Sequence, residues 1–323
     1  MTKFFSFARK GAVITAVSVL LSAAAFSQAS LRKALDFDGD GKVDFTVVRP
    51  SNNTWYISKT GGGETYQNFG LANEDFVEPG DFDGDGKADI SVWRDTTGVW
   101  YRFNSSDGTF TAVQFGISGD EPVARDYDGD NKADLAVVRR TNGAMIWYIL
   151  RSTDSGFSAG QFGLSTDYVA PGDYDGDGKF DLAVQRPGAT PSAQSTYYVL
   201  KSGDGGLLVN FFGLSNDLVV PGDYDGDGKT DFAVVREGST PTDPLTWYFQ
   251  KSTVGNLLAY QFGLTGTDLI AQGDYDGDGK TDVGVWRDSN GQFFALQSGS
   301  GLSLLTRTWG ISNDFPAASY DTH

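Results

Sequence analysis

A nine-residue acidic segment, Asp-aromatic-Asp-Gly-Asp-Gly/Asn-Lys-x-Asp, recurs six times in this 323-residue chain, beginning at Asp36, Asp81, Asp126, Asp173, Asp223 and Asp274. The intervals are 45, 45, 47, 50 and 51 residues. Self-similarity at such a period marks a repeat architecture, in which each unit buries its faces only against its neighbours. Each interval runs through the same succession: the acidic loop, an apolar strand, an aromatic strand, a Gly/Ser turn and a Phe-Gly. Four strand-sized segments in about 45 residues match one blade of a β-propeller. We label the strands A to D, with the acidic loop joining A to B. B strands such as Phe232-Ala233-Val234-Val235 are apolar without alternation, as expected of strands covered on both faces. The expected fold is all-β: a propeller of six four-stranded blades, in one domain over residues 30–323.

Counted from its first Asp, each loop places carboxylates at positions 1, 3, 5 and 9. They are Asp36, Asp38, Asp40 and Asp44; Asp81, Asp83, Asp85 and Asp89; Asp126, Asp128, Asp130 and Asp134; Asp173, Asp175, Asp177 and Asp181; Asp223, Asp225, Asp227 and Asp231; and Asp274, Asp276, Asp278 and Asp282. Carboxylates at alternate positions of a tight turn can converge on one point, and several hard oxygen ligands suit calcium better than magnesium. The backbone carbonyl of position 7 (Lys42, Lys87, Lys132, Lys179, Lys229 and Lys280) is the expected remaining protein ligand, with the lysine side chain pointing to solvent. Position 6 is Gly or, in Asn131, the residue type that next best tolerates positive φ. About six bound Ca²⁺ ions are expected.

The loop begins like an EF-hand, which would require a bidentate Glu at position 12. That position holds Val47, Val92, Val137, Val184, Val234 and Val285, which cannot bind calcium and suit a strand. Asp at position 9 must therefore close the site.

Lys3, Arg9 and Lys10 precede an apolar run from Gly11 to Ala25 and small residues near 27–29, so residues 1–29 read as a secretory signal peptide. The run is short for a membrane span, and no stable span is expected after its removal. The expected location is secreted or on the cell surface, with a bacterial periplasm as the other exported site. The net charge of -17 makes nucleic acid an implausible partner. With no cysteine in an exported chain, disulfides cannot staple the fold, and bound metal is the natural substitute. The one histidine, His323, is the last residue, so triads built on a His base and imidazole zinc sites are excluded.

The chain resembles the FG-GAP, or VCBS-type, repeats of the integrin α-subunit head and of many bacterial exported proteins. The resemblance rests on the acidic loop and on the Phe-Gly before strand A: Phe69-Gly70, Phe115-Gly116, Phe162-Gly163, Phe212-Gly213, Phe262-Gly263 and, altered, Trp309-Gly310. It implies a propeller, calcium ligation at positions 1, 3, 5, 7 and 9, and roles in adhesion or surface binding. The family's Gly-Ala-Pro after strand B is replaced here by Arg-Pro or Arg followed by another residue, so integrin-type ligand recognition does not carry over.

Position 14 of every repeat is Arg (Arg49, Arg94, Arg139, Arg186, Arg236, Arg287), and an Asp precedes every A strand (Asp75, Asp120, Asp167, Asp217, Asp268, Asp314). Pairing them within blades leaves Arg49 and Asp314 over, one near each end. Their pairing would make 315–319 strand A of the first blade and close the ring at six blades, against seven in the integrin head. The aromatic pairs, such as Trp55-Tyr56, are expected in the core between blades. The expected function is an adhesion, interaction or scaffold module, a monomer with an unknown protein or glycan ligand and no catalytic residues. A lectin, or a polysaccharide lyase or glycosidase on a propeller, is the alternative. B–C loops, expected longest in repeats 3 to 5, make the face opposite the acidic loops the candidate binding surface.

Overall fold

The computed structural model describes residues 34–253 and 255–317; the signal segment expected at 1–29, Ser319 and His323 lie outside the described residues. Among the described residues, six four-stranded antiparallel sheets are arranged as a six-bladed propeller. The first blade combines β1 (Phe45–Arg49), β2 (Thr54–Ser58) and β3 (Glu64–Asn68) with the last strand, β24 (Phe315–Pro316), in the order β24-β1-β2-β3. The other five blades each use four consecutive strands, from Asp75–Val77 in the second blade to Ser303–Thr308 in the sixth.

Burial falls from one edge of each blade to the other. B strands such as β1 are buried along nearly their whole length, which their unbroken apolar sequences anticipate. C strands such as Ala144–Leu150 alternate between buried and half-buried residues, and D strands are the most exposed, with Phe110, Phe157 and Phe211 open to solvent. Strand A therefore lines the centre and strand D the outer rim. No helix among the described residues is long and apolar enough to cross a membrane.

The ring closes as the leftover charges predict. Val47 stands opposite Pro316 and Val48 opposite Phe315, and Arg49 Nε lies 2.8 Å from Asp314. The five pairs within blades form too, each bidentate, with Nε and Nη2 donating to the two carboxylate oxygens. The same aspartates accept the backbone N–H that follows the Phe-Gly, as Leu71 donates to Asp75. Each Phe-Gly thus fastens one blade's end to the next blade's start. Its glycine has positive φ and lies against the position-12 valine of that next blade: a Cβ on Gly163 would stand 3.1 Å from Val184 Cγ1, and one on Gly310 3.3 Å from Val47 Cγ1.

Two expectations change. Only the first aromatic of each pair is core: Trp55, Trp100, Trp147, Tyr197, Trp247 and Phe293 are fully buried. The second is half-buried, and its face carries the position-14 arginine, with guanidinium carbons 4.0 to 4.7 Å from the centroids of Tyr56 and Phe294 and similar distances between. In repeat 3 the extra residues do not lengthen the B–C loop. They extend the strands to Leu135–Thr141 and Ala144–Leu150, joined by an Asn142-Gly143 turn with both φ positive, the two-residue hairpin such a dipeptide favours. Long B–C connections remain only at 187–193 and 237–243.

Candidate metal centres

Each acidic loop is held open by its own backbone. The position-1 carboxylate accepts the N–H of position 4 at 2.6 Å in all six loops, and its second oxygen accepts that of position 6, as in Gly41 to Asp36 at 2.8 Å. Both glycine positions have positive φ, and Asn131 takes the same conformation at φ 69°. The position-5 carboxylate accepts the lysine N–H of position 7, at 2.9 Å in the first loop. Position 9 reaches back across the loop: Asp44 Oδ2 accepts the Phe37 N–H at 2.8 Å.

A second element completes every site, and it lies outside the loop motif. The first residue of the C–D turn is Thr60, Ser105, Ser152, Ser202, Ser252 or Ser298. Its backbone N–H donates to the position-9 carboxylate at 2.6 to 2.7 Å. Its hydroxyl donates to the position-5 carboxylate, as in Ser202 to Asp177 at 2.9 Å. Sequence reasoning saw only a Gly/Ser turn there.

One carboxylate oxygen from each of three residues comes within 4.8 Å of the other two in Asp36, Asp38 and Asp40; in Asp81, Asp83 and Asp85; in Asp126, Asp128 and Asp134; in Asp173, Asp175 and Asp181; and in Asp223, Asp225 and Asp231. The donors fit a hard divalent cation. The decisive atoms are Asp175 Oδ1 and Asp225 Oδ1, which are buried and accept no hydrogen bond. A buried carboxylate oxygen without a donor is costly unless a cation faces it. Burial also pushes the position-9 carboxyls up, to about 7 for Asp44, Asp134, Asp231 and Asp282 and about 6 for Asp89 and Asp181, against the pull of the N–H groups they accept.

The loops are also joined to one another. The N–H of position 8 donates to the position-1 carbonyl of the preceding blade: Ala88 to Asp36, Ala133 to Asp81, Phe180 to Asp126, Thr230 to Asp173 and Thr281 to Asp223, at 2.6 to 2.8 Å. Val43 donates to Asp274 at 2.9 Å and completes the circle. The position-7 lysines follow the same path, contrary to the expected solvent orientation. They are half-buried, and their stems lie over the position-4 glycine of the preceding loop, Lys229 over Gly176 and Lys42 over Gly277.

One charged pair breaks the sixfold pattern. Arg125 stands where four other blades have Gly80, Gly172, Gly222 and Gly273, and it lies buried 3.7 Å from buried Glu78 of the neighbouring blade. Burial raises the Glu78 carboxyl to about 8 against the opposing charge of Arg125.

The fold is similar to that of TolB from Acinetobacter baumannii, at 16% identity and a TM-score of 0.56, over 86% of this chain and 66% of that one; this chain thus spans just under two thirds of its length. It is also similar to a triple arginine-to-alanine mutant of AofleA from Arthrobotrys oligospora, at 11% identity and a TM-score of 0.53, over 91% of this chain and 98% of that one. At these identities the likeness concerns the fold alone. No curated protein matches the sequence. The FG-GAP-like repeat model matches residues 36–92, 81–137, 126–184 and 223–285, each match running from the first Asp of one loop to the position-12 valine of the next, and the FG-GAP repeat model matches 169–200. These matches span well over half of the sequence and follow the periodicity of its loops, and the chain belongs to the FG-GAP repeat family.

Proposed function

We propose that this is an exported, calcium-stabilised propeller that serves as an interaction or scaffold module, with the ions structural. The observation that carries the calcium reading is the pair of buried, donorless oxygens, Asp175 Oδ1 and Asp225 Oδ1, inside clusters of converging carboxylates. Calcium would supply the positive charge that lets the gathered carboxylates stay ionised. Positions 1, 3, 5 and 9, with the position-7 carbonyl, would hold it. The loops' engagement with the C–D turns and with neighbouring loops supports a stapling role for the ion over a catalytic one. Extracellular modules of this kind bind calcium at about 10⁻⁴ to 10⁻³ M, and an ion at ten times its dissociation constant adds about 1.4 kcal/mol per site.

The export reading rests on the signal-peptide character of residues 1–29. We assign recognition to the face opposite the acidic loops. There 187–193 and 237–243 set repeats 4 and 5 apart, held in place by hydrogen bonds such as Ser215 N–H to the Ala193 carbonyl and Thr265 N–H to the Asp243 carbonyl. Calorimetric titration with calcium, and melting with and without a chelator, test the metal reading: uptake of about six ions and a lower Tm in chelator are expected, and an unchanged Tm with no heat of binding would overturn it. A glycan and matrix-protein binding screen with and without calcium tests recognition, and turnover of a polysaccharide would refute the non-enzymatic reading.

A further inference from the structure

The six acidic loops share a sequence but not an electrostatic setting. On strand C, one position lies beneath each loop, paired in register with position 11: Ile57, Arg102, Ile149, Val199, Phe249 and Ala295. Five of these are apolar and buried. Arg102, on β6 (Val99–Phe103), brings a guanidinium instead. Its Nε donates to Thr111 Oγ1 at 3.2 Å, and its Cζ lies 5.1 Å from the ring centroid of Phe82, the second residue of the loop. Both contacts keep the charge fixed under the loop, close enough to feel Asp89 and Asp83.

A second cation approaches the same loop from above. All six position-7 lysines cross the neighbouring glycine, but only at Gly84 does the ammonium nitrogen come among the nearest atoms, with Lys132 Nζ 3.1 Å from where a Cβ would stand. In the other loops the nearest lysine atoms are carbons of the stem. Cations also stand beside other loops, Arg151 near Asp128 and Asp134 and Lys201 near Asp175 and Asp181, but each of these is paired with a carboxylate, Asp154 or Asp204, whereas the half-buried Arg102 donates to the neutral Thr111.

We propose that Arg102 makes the Asp81–Asp89 loop the weakest of the six divalent-cation sites, the last to fill and the first to empty. This rests on the calcium reading above. Like charges repel more strongly in a partly desolvated site than in water. The fixed guanidinium offsets part of the carboxylate field without supplying any ligand. It also offsets part of the repulsion among the carboxylates when no ion is present, so this blade stands emptying best. The ring then has five strongly held ions and one that responds to the ambient calcium concentration.

The test is equilibrium dialysis of the full chain against radioactive calcium over a wide concentration range, with occupancy fitted as strong and weak classes. The wild-type protein should bind five ions in the strong class and one in the weak class. Arg102→Ile, the residue of the first and third blades, should tighten the weak ion about tenfold, and Arg102→Gln should do the same if the isoleucine variant does not fold. Arg102→Lys, which keeps the charge, should leave the weak class in place, and Asp83→Asn should abolish it while preserving all five strong ions. Six equal ions in the wild-type protein, a weak class unmoved by both neutral variants, or a weak class that survives Asp83→Asn would each overturn the assignment to Arg102 and leave the calcium reading intact. Absence of any calcium uptake would sink both.

Discussion

At the residue scale, the acidic loop depends on a hydroxyl residue that its motif does not contain. Ser202 donates from its backbone to Asp181 and from Oγ to Asp177, so Ser202→Ala should lose only the second bond. Removing one hydrogen bond to a charged acceptor predicts a loss of about 1 kcal/mol, read by urea denaturation at fixed calcium. The position-9 carboxyls make a prediction in pH. In calcium-free protein they hold protons up to about pH 6 or 7, whereas their ordinary value is 3.8. Between those limits the folded state binds more protons than the unfolded one, so unfolding free energy should fall as pH rises through that window. Calcium requires the ionised form, so saturating calcium should flatten the slope across that window. Denaturation at pH 5 and 7.5, in chelator and in calcium, checks this; parallel slopes would mean that proton and ion do not compete for these groups.

At the scale of the element, the loop's two glycines have different duties. Position 4 carries both positive φ and a crossing lysine, so Gly226→Ala would press a Cβ to 3.0 Å from Lys280 Cε and Cγ at φ 80° and should cost about 1 to 3 kcal/mol. Position 6 is open, with nothing near Gly228, and Asn131 already occupies its counterpart, so Gly228→Asn should change stability by less than about 0.5 kcal/mol. Paired denaturation curves distinguish the two duties, and equal losses would contradict them. The strands, the loops and the Arg–Asp pairs were legible in the sequence because each recurs at a fixed offset within its repeat. The C–D turn was not, because its serine or threonine lies 16, 18 or 21 residues from position 9, as intervening strands and loops vary in length. The lysine crossings were hidden for another reason. They join one blade to the next, and within a single repeat a lysine beside four aspartates reads as a solvated charge.

At the scale of the whole molecule, the first blade is the only one assembled from distant stretches of chain, and the Arg49–Asp314 pair ties them. Asp314 is buried and also accepts the Ile311 N–H, while Arg49 stacks on Tyr56. Exchanging the two charges should therefore restore only the ionic part of what either single change loses. Asp314→Ala should cost about 2 kcal/mol, as Asp167→Ala should in the fourth blade. It should also speed unfolding more, because it loosens the one blade that is not covalently continuous. Stopped-flow unfolding in urea compares them, and equal rates would place the opening elsewhere.

The assembly of the first blade has a consequence for chain connectivity. By register, Pro316 takes the place that Val77 holds in the second blade, so Ala317 corresponds to Glu78. Leu35 corresponds to Gly80, its carbonyl accepting the Asp44 N–H as that of Gly80 accepts the Asp89 N–H. Only one residue position separates them, and Ala34 fills it, so the molecule is topologically a circle with a nick. Circular permutants that seal 34–317 through a direct or glycine-lengthened junction, and open instead at any C–D turn, should fold to the same propeller with a shifted first blade. Of these, permutants cut next to the turn's hydroxyl residue, Ser202 in the fourth blade, should melt lower than those cut further along the same turn, since the new ends would fall on the hydroxyl that steadies the position-5 carboxylate.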